Sequence, residues 1–263
     1  MMTMASITSK QRKQFKRFVE DGADRALEEI NLDKDGLQNL IENGGAFQDD
    51  LIVSARKLSA PKSLKDLALS LNPTDLCRFW VQLWQKWDSK GIHNIVVPDP
   101  PTMEQIQAEN DRGRGFIYLP PQLATVTALA ELGKLFPKMQ SWSVSGGNDA
   151  KKIKNAKDLS SWLAVEMAVN MPNPNTTETE LRNIFSQQNA EGETLNTYIV
   201  FGQFCKEVFG QYPDIPGYVR LLGSSYDGNV LHARFCGYGD LFVRRGWGPD
   251  SRGSTVGGRS VAV

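Results

Sequence analysis

The chain has 263 residues, enough for one large domain or two small ones, with 40% hydrophobic, 23% charged and 9% aromatic side chains. Those proportions are ordinary for a folding sequence and exclude a collagen-like, coiled-coil or wholly disordered chain. Thirty basic residues balance 30 acidic ones, so no overall field favours nucleic acid or an anionic membrane, and any charge-driven site must be local.

The segment Met1 to Lys10 lacks the apolar run of a signal peptide, and no stretch approaches the roughly 18 apolar residues of a membrane helix. A cytoplasmic protein without a membrane span is expected. Cys77, Cys205 and Cys236 lie far apart and are odd in number, which supplies neither a disulfide framework nor a paired-cysteine motif. With His93 and His232 as the only histidines, no metal site and no cofactor is expected.

In chain order, Phe15, Phe18, Val19, Ala23, Ala26, Leu27 and Ile30 recur at three- and four-residue spacing and predict an amphipathic helix. Its outer face carries Lys10, Arg12, Lys13, Lys16 and Arg17, followed by Glu20, Asp21, Glu28 and Glu29. A solvated face is the plain reading, and phosphate contact through the basic turn is the alternative. Asn31, Asp33, Asp35, Gly36 and Glu42 have the spacing of a calcium-binding loop. Asn at the first position, Gln38 at a usually apolar one and the early Gly44 favour a plain interhelical turn with Asp33 as N-cap. A second helix through Leu37, Leu40 and Ile41 is expected to end on a left-handed glycine at Asn43-Gly44-Gly45. Helices are also expected over Phe47–Leu58 and Leu64–Leu71.

Asn72-Pro73-Thr74-Asp75 opens a helix with Leu76, Phe79, Trp80, Leu83, Trp84 and Trp87 on one stripe. Core packing is favoured over a ligand box. Ile92–Val97 reads as a short buried strand, ended by Pro98-Asp99-Pro100-Pro101. Phe116–Leu119 is a second strand, Leu123–Phe136 a helix, Ser143–Asn148 a loop, Leu159–Val169 a helix, Glu178–Gln187 a helix, and Leu195–Phe209 a helix. Asp111-Arg112-Gly113-Arg114-Gly115 and Gly146-Gly147 lack the context of a phosphate loop, and no nucleophile elbow or serine–histidine arrangement occurs.

Composition then changes. Lys206 and Glu207 are the last lysine and glutamate, and the remaining stretch of about 56 residues is rich in glycine, serine, aspartate, tyrosine and arginine. Short strands are expected at Tyr218–Leu222, Val230–Phe235, Leu241–Val243 and Val256–Val263. Tyr226, Asp227, Arg234, Tyr238, Asp240, Arg244, Arg245, Trp247, Asp250, Ser251, Arg252 and Arg259 are the residue types that build contact surfaces, while lysine and glutamate are depleted at interfaces. The plain alternative is a glycine-rich β terminus with surface arginines.

The ending from Val243 through Arg245-Gly246-Trp247 to Gly257-Gly258-Arg259 resembles the C-terminus of variable proteins of diversity-generating retroelements. That family has a C-type lectin fold related to formylglycine-generating enzymes, and its members close on glycine-phenylalanine-arginine where this chain has Gly257-Gly258-Arg259. The resemblance implies error-prone copying at adenines. Such copying reaches tyrosine, serine, aspartate, glycine and arginine but not lysine, glutamate, glutamine, methionine or tryptophan, which would make Trp247 a fixed position. The residues after Gln211 contain none of the first four excluded types. The resemblance spans about the last fifth of the chain.

These readings converge on an α+β chain with a helical N-terminal region, 1–97, and a mixed region, 98–263. The latter ends in a glycine- and arginine-rich β module near 211–263, C-type lectin-like or another small antiparallel form. Function is expected to be non-catalytic binding of a protein or other macromolecular ligand through Tyr226, Arg234, Tyr238, Asp240, Arg244, Arg245, Trp247, Asp250, Ser251, Arg252 and Arg259. The alternative is a nucleic-acid-associated protein of a mobile element that uses the basic N-terminal helix.

Overall fold

The computed structural model describes residues 8–30, 33–45, 48–49, 51, 67–137, 150–245 and 248–262, with the backbone alone at 11, 18, 26, 28–30, 40, 150 and 245. Residues 47, 50 and 52–58 of the expected helix over Phe47–Leu58, residues 64–66 of that over Leu64–Leu71, the loop Ser143–Asn148, Trp247 and the side chain of Arg245 lie outside the described residues; within Leu64–Leu71, residues 67–68 are helical and the chain turns at Leu69. The chain divides into two compact units, Met1–Pro61 and Lys62–Val263. It is a mixed α+β protein, helical toward its N-terminus with antiparallel sheets toward its C-terminus. Among the described residues no helix is long and apolar enough to cross a membrane.

In the first unit, α1 (Ser9–Ile30) follows the expected periodicity. The second helix, α2 (Lys34–Glu42), begins where Asp33 accepts a hydrogen bond from the Gly36 N–H at 2.7 Å. Asp33 therefore acts as the N-cap of an interhelical turn. The C-cap differs from expectation. It is Asn43, with φ at −94°, and its amide hydrogen-bonds back to Asn39. Its own side chain also donates to the Asn39 carbonyl at 2.8 Å, so a left-handed glycine is not needed to satisfy the helix end.

The second unit is organised around α3 (Pro73–Trp87), whose tryptophan stripe is core. Trp80 and Trp84 are buried and donate their indole N–H groups to the carbonyls of Phe116 and Tyr118 on β1 (Arg114–Leu119). Each indole buries a large apolar surface while its polar edge stays satisfied. Trp80 also stacks on Phe204 of α8 (Leu195–Phe209), ring centroids 5.7 Å apart. Between these lie α4 (Met103–Asp111), α5 (Pro121–Ala124) and α6 (Leu129–Leu135). The helix expected over Leu123–Phe136 is broken into α5, a 3-10 turn at Val126–Ala128, and α6, because Thr125 is extended, with ψ at 155°. A further helix, α7 (Glu178–Gln187), is closed at its start by a reciprocal capping box between Thr177 and Glu180.

Two sheets cover the core. One has the order β1–β3–β9–β4, with β3 (Ser161–Glu166), β4 (Glu191–Gly192) and β9 (Ser260–Ala262). The other joins β2 (Ile153–Asn155), β5 (Tyr218–Tyr226), β6 (Asn229–Phe235) and β7 (Leu241–Arg245), with β8 (Val256–Gly258) added in parallel to β5. Segment 211–263 thus supplies β5 to β9; β6, β7 and β8 pair within it, whereas β5 also pairs with β2, and β9 pairs with β3 and β4, from earlier in the chain.

Two expected elements are corrected. Leu159–Val169 contains the strand β3 and no helix: it lies between β1 and β9, and Leu163, Ala164 and Val165 are all buried. A strand covered on both faces gives a continuous apolar run without alternation. Ile92–Val97 is neither buried throughout nor a strand, with Ile92 66% and Val96 77% exposed. Its backbone is held by side chains instead. The Asp88 carboxylate accepts the amides of Ile92 and His93, and the carbonyls of His93 and Val96 accept from Gln122 and Tyr118.

Candidate ligand-binding face

Strands β5, β6 and β7 place residues of one parity on each face. Val219, Leu221, Leu231, Ala233, Phe235, Leu241 and Val243 are buried in the core. Helix α8 comes so close to this side that a Cβ on Gly202 would lie 2.2 Å from the Phe235 ring. The opposite face carries Tyr218, Arg220, His232, Arg234, Phe242 and Arg244. Register pairs Arg220 with His232, His232 with Arg244, and Arg234 with Phe242.

One end of this outer face is closed by α7, where Leu181 and Phe185 pack with Leu222, and Ile184 and Val230 join them. The other end forms a ladder of guanidinium groups and rings. Arg244 lies over the Tyr218 ring at 3.8 Å, Arg234 over the same ring at 4.8 Å, and Arg234 over Phe242 at 5.4 Å. Such contacts hold the planar guanidinium flat against a ring.

Arg220 serves a different purpose. It is buried and donates to the carbonyls of Thr176 and Ser251, fixing the β7–β8 loop on the sheet. His232 is wholly buried between the arginines. Burial, reinforced by Arg220 and Arg244, pushes its imidazole down to about 3, so it is neutral at physiological pH.

Arg259 is also enclosed. Its guanidinium makes a two-point contact with the Asp214 carboxylate, Nε to Oδ2 at 2.9 Å and Nη2 to Oδ1 at 2.7 Å. It also donates to the carbonyls of Glu166 and Ala168 and lies over the Phe201 ring. Both partners of this ion pair are fully buried. Tyr198 donates to Asp214 at 3.1 Å. Burial opposes the charge on Arg259, but Asp214, Glu193 and Tyr198 outweigh it and hold the guanidinium above its ordinary value. Beside this pair, Glu193 is wholly buried, and neither carboxyl oxygen has a hydrogen-bond partner among the described residues. Burial pushes it up to about 8, against the attraction of Arg259 and with the repulsion of Asp214 and Glu166.

The candidate residues therefore separate. Arg234 and Arg244 are brought together over Tyr218. Tyr238 (89% exposed) and Asp240 stand on the β6–β7 turn, and Asp250, Ser251 and Arg252 on the β7–β8 loop. Arg252 is engaged by the Glu180 carboxylate and the Asn175 carbonyl. Tyr226 is buried at the far end of β5, beyond a register irregularity between Leu221 and Ser225, and Lys152 lies over its ring. Arg259 is inside the core. Asp227 is exposed and pairs with Lys152. Tyr218 and Phe242, which complete the ladder, were missed from sequence, as were Glu193 and Asp214 around Arg259. Tyr218 and Phe242 share the parity of Arg234 and Arg244 along their strands, a signal that was available. Nothing local marks Asp214 as the partner of Arg259.

A depression of about 680 Å³ lies elsewhere on this unit, between α7, β4 and β9, with Lys157, Arg182, Ser186 and Asn189 on its lining. Its charged groups are neutralised in pairs, Lys157 with Glu191 and Arg182 with Glu178. Among the described residues no group of three or more histidine, cysteine or carboxylate side chains is arranged to hold a metal ion.

No protein family, curated protein or solved structure matches this chain.

Proposed function

We propose that the chain is a non-catalytic binding protein that displays a diversifiable C-terminal surface to a protein ligand. In this reading it is a cytoplasmic variable protein of a diversity-generating retroelement, with a C-type lectin-like C-terminal module. The observation that carries the reading is a division of labour within one segment. Val219, Leu231, Phe235, Val243, Val256, Arg259 and Val261 are buried and hold the backbone, whereas Tyr238, Asp240, Asp250 and Arg252 are exposed on its turns. Positions of the second kind can change without disturbing the first.

The test is genetic. The last 120 or so nucleotides of the gene, sequenced from many cells of one population, should vary at adenines of a neighbouring near-identical repeat that lies beside a reverse transcriptase. A uniform tail with no repeat would remove the retroelement reading. Replacing Tyr238, Arg244 and Asp250 together should abolish capture of the partner with little change in Tm, and a large loss of stability would make these residues structural.

A second reading rests on α1, whose Lys10, Arg12, Lys13, Lys16 and Arg17 are all exposed. Phosphate contacts through them would give a steep fall in nucleic-acid affinity as salt rises. Binding that ignores salt would dispose of this alternative.

A further inference from the structure

The surface of α1 divides into rows, because helical residues four apart lie one above the other. Phe15, Val19, Ala23 and Leu27 form one row, and the positions of Phe18, Gly22, Ala26 and Ile30 form the next, so two apolar rows run side by side. This face is uncovered: Phe15 is 55% and Leu27 40% exposed, and among the described residues of the first unit none is buried. The row that borders it reads Arg12, Lys16, Glu20, Asp24 and Glu28, basic through the first half of the helix and acidic through the second. That order opposes the helix itself. Free N–H groups give the start of a helix a partial positive charge and free C=O groups make its end negative, so acidic residues stabilise the start and basic ones the end. In α1 the first turn has no acidic residue and the last turn no basic one. Among the described residues none of its charged side chains is held in an ion pair. A lone α1 is therefore penalised at both ends, and an antiparallel neighbour of the same sequence relieves both, since its acidic half lies beside the basic half.

We propose that α1 is a self-association element that pairs antiparallel with α1 of a second copy of this chain. The pair is two-fold symmetric, so each contact is made twice. With the axis level with Phe18, Arg12 of one copy stands level with Asp24 of the other, and Lys16 with Glu20, while the apolar rows close on each other. The order of charges separates this occupant from the rest. A parallel copy would set basic beside basic and acidic beside acidic. A nucleic-acid backbone or an anionic bilayer lying along the whole helix would gain at Arg12 and Lys16 but be repelled at Glu20 and Asp24. The inference goes beyond the display reading, which concerns the C-terminal tail, and its outcome does not depend on whether that tail varies.

The test is the association state of the full chain, read by sedimentation equilibrium at low and high salt. The parent should dimerise, and salt should weaken the dimer because the charged rows lie at its rim. Arg12→Glu with Lys16→Glu makes the bordering row acidic throughout, and Glu20→Lys with Asp24→Lys makes it basic throughout. Each of these chains alone should show a dissociation constant raised by roughly tenfold or more, since every level of the row then sets like charge against like. An equimolar mixture of the two should form a heterodimer, and all four substitutions in one chain should restore the homodimer. The Arg12→Glu, Lys16→Glu chain suits the helix dipole better than the parent does, so its loss of association is not a loss of α1, which circular dichroism checks. A parent that stays monomeric at about 100 µM, where a helix pair of micromolar affinity is mostly associated, overturns the proposal. So does a dimer indifferent to these reversals, which forms through another surface, or a monomer that binds oligothymidylate or anionic vesicles through Arg12 and Lys16.

Discussion

Two arginines from the same stretch of chain show how differently one side chain is used. Arg259 is fully buried, and its guanidinium meets the Asp214 carboxylate and the carbonyls of residues 166 and 168. Arg234 lies between two aromatic rings, with no acceptor among the described residues. The first ties together the β8–β9 junction, the loop after β3 and the Asp214 turn, so its contribution is to the fold. The second faces outward from a sheet whose other side already supplies the core. Composition could not separate them, because both are arginines in a glycine-rich tail; what distinguishes them is whether acceptors are already in place.

The largest effect is expected where that comparison is broken at its buried end. Arg259→Ala leaves Asp214 charged and enclosed beside Glu193, and removing one partner of a buried pair costs about 3–5 kcal/mol. Urea denaturation should show this, and an unchanged midpoint would mean that the pair is not structural. Gly202→Ala tests the close approach of α8 to β6. Its new methyl meets the Phe235 ring at 2.2 Å, and overpacking of this kind costs about 1–3 kcal/mol, readable as a fall in Tm.

Glu193 sharpens the comparison through pH. Its ordinary carboxyl value of 4.5 is raised to about 8 in the folded chain. Below pH 4.5 the folded and unfolded states both hold the proton. Between 4.5 and 8 the unfolded chain releases it while the folded chain keeps it, so stability is lost as pH rises through that window. Glu193→Gln removes this dependence. At about 1.4 kcal/mol per pH unit, the stability of the variant relative to the parent should rise by roughly 2 kcal/mol between pH 5.5 and 7. Parallel pH profiles for the two proteins would show that Glu193 is not held protonated.

The smallest effect on stability is expected at the outer face. Arg234→Gln removes two stacking contacts worth about 0.5–1 kcal/mol each at part-exposed sites but also an unsatisfied donor, so Tm should move by only a few degrees. A large destabilisation would make Arg234 a second structural arginine and would erase the contrast with Arg259.

Much of the fold was legible in the residues. The helix α7 begins where Thr177 and Glu180 form a capping box, and α8 ends at Gly210, whose φ of 74° suits glycine. Strands β5 to β7 follow from alternation in Tyr218–Leu222, Val230–Phe235 and Leu241–Val243. Alternation fails as a guide where a strand is enclosed on both faces, which is why β3 reads as a helix. It fails again past the irregularity in β5, which turns Tyr226 toward the core. Ile92–Val97 misleads for the opposite reason, since Ile92 and Val96 are exposed and the amides of Ile92 and His93 are met by Asp88.

The sequence by itself determined the helices α1, α2, α3, α7 and α8, because capping residues and periodicity act over a few neighbours, and it located the change in composition at the end of α8. It also marked the tail as a source of arginine and aromatic side chains. Only the tertiary structure decided which of these side chains meet. Asp214 and Arg259 are 45 positions apart, and Tyr218, Arg234 and Arg244 lie on three different strands. Strand register and burial, both set by long-range packing, therefore made one arginine part of the core and left another facing outward.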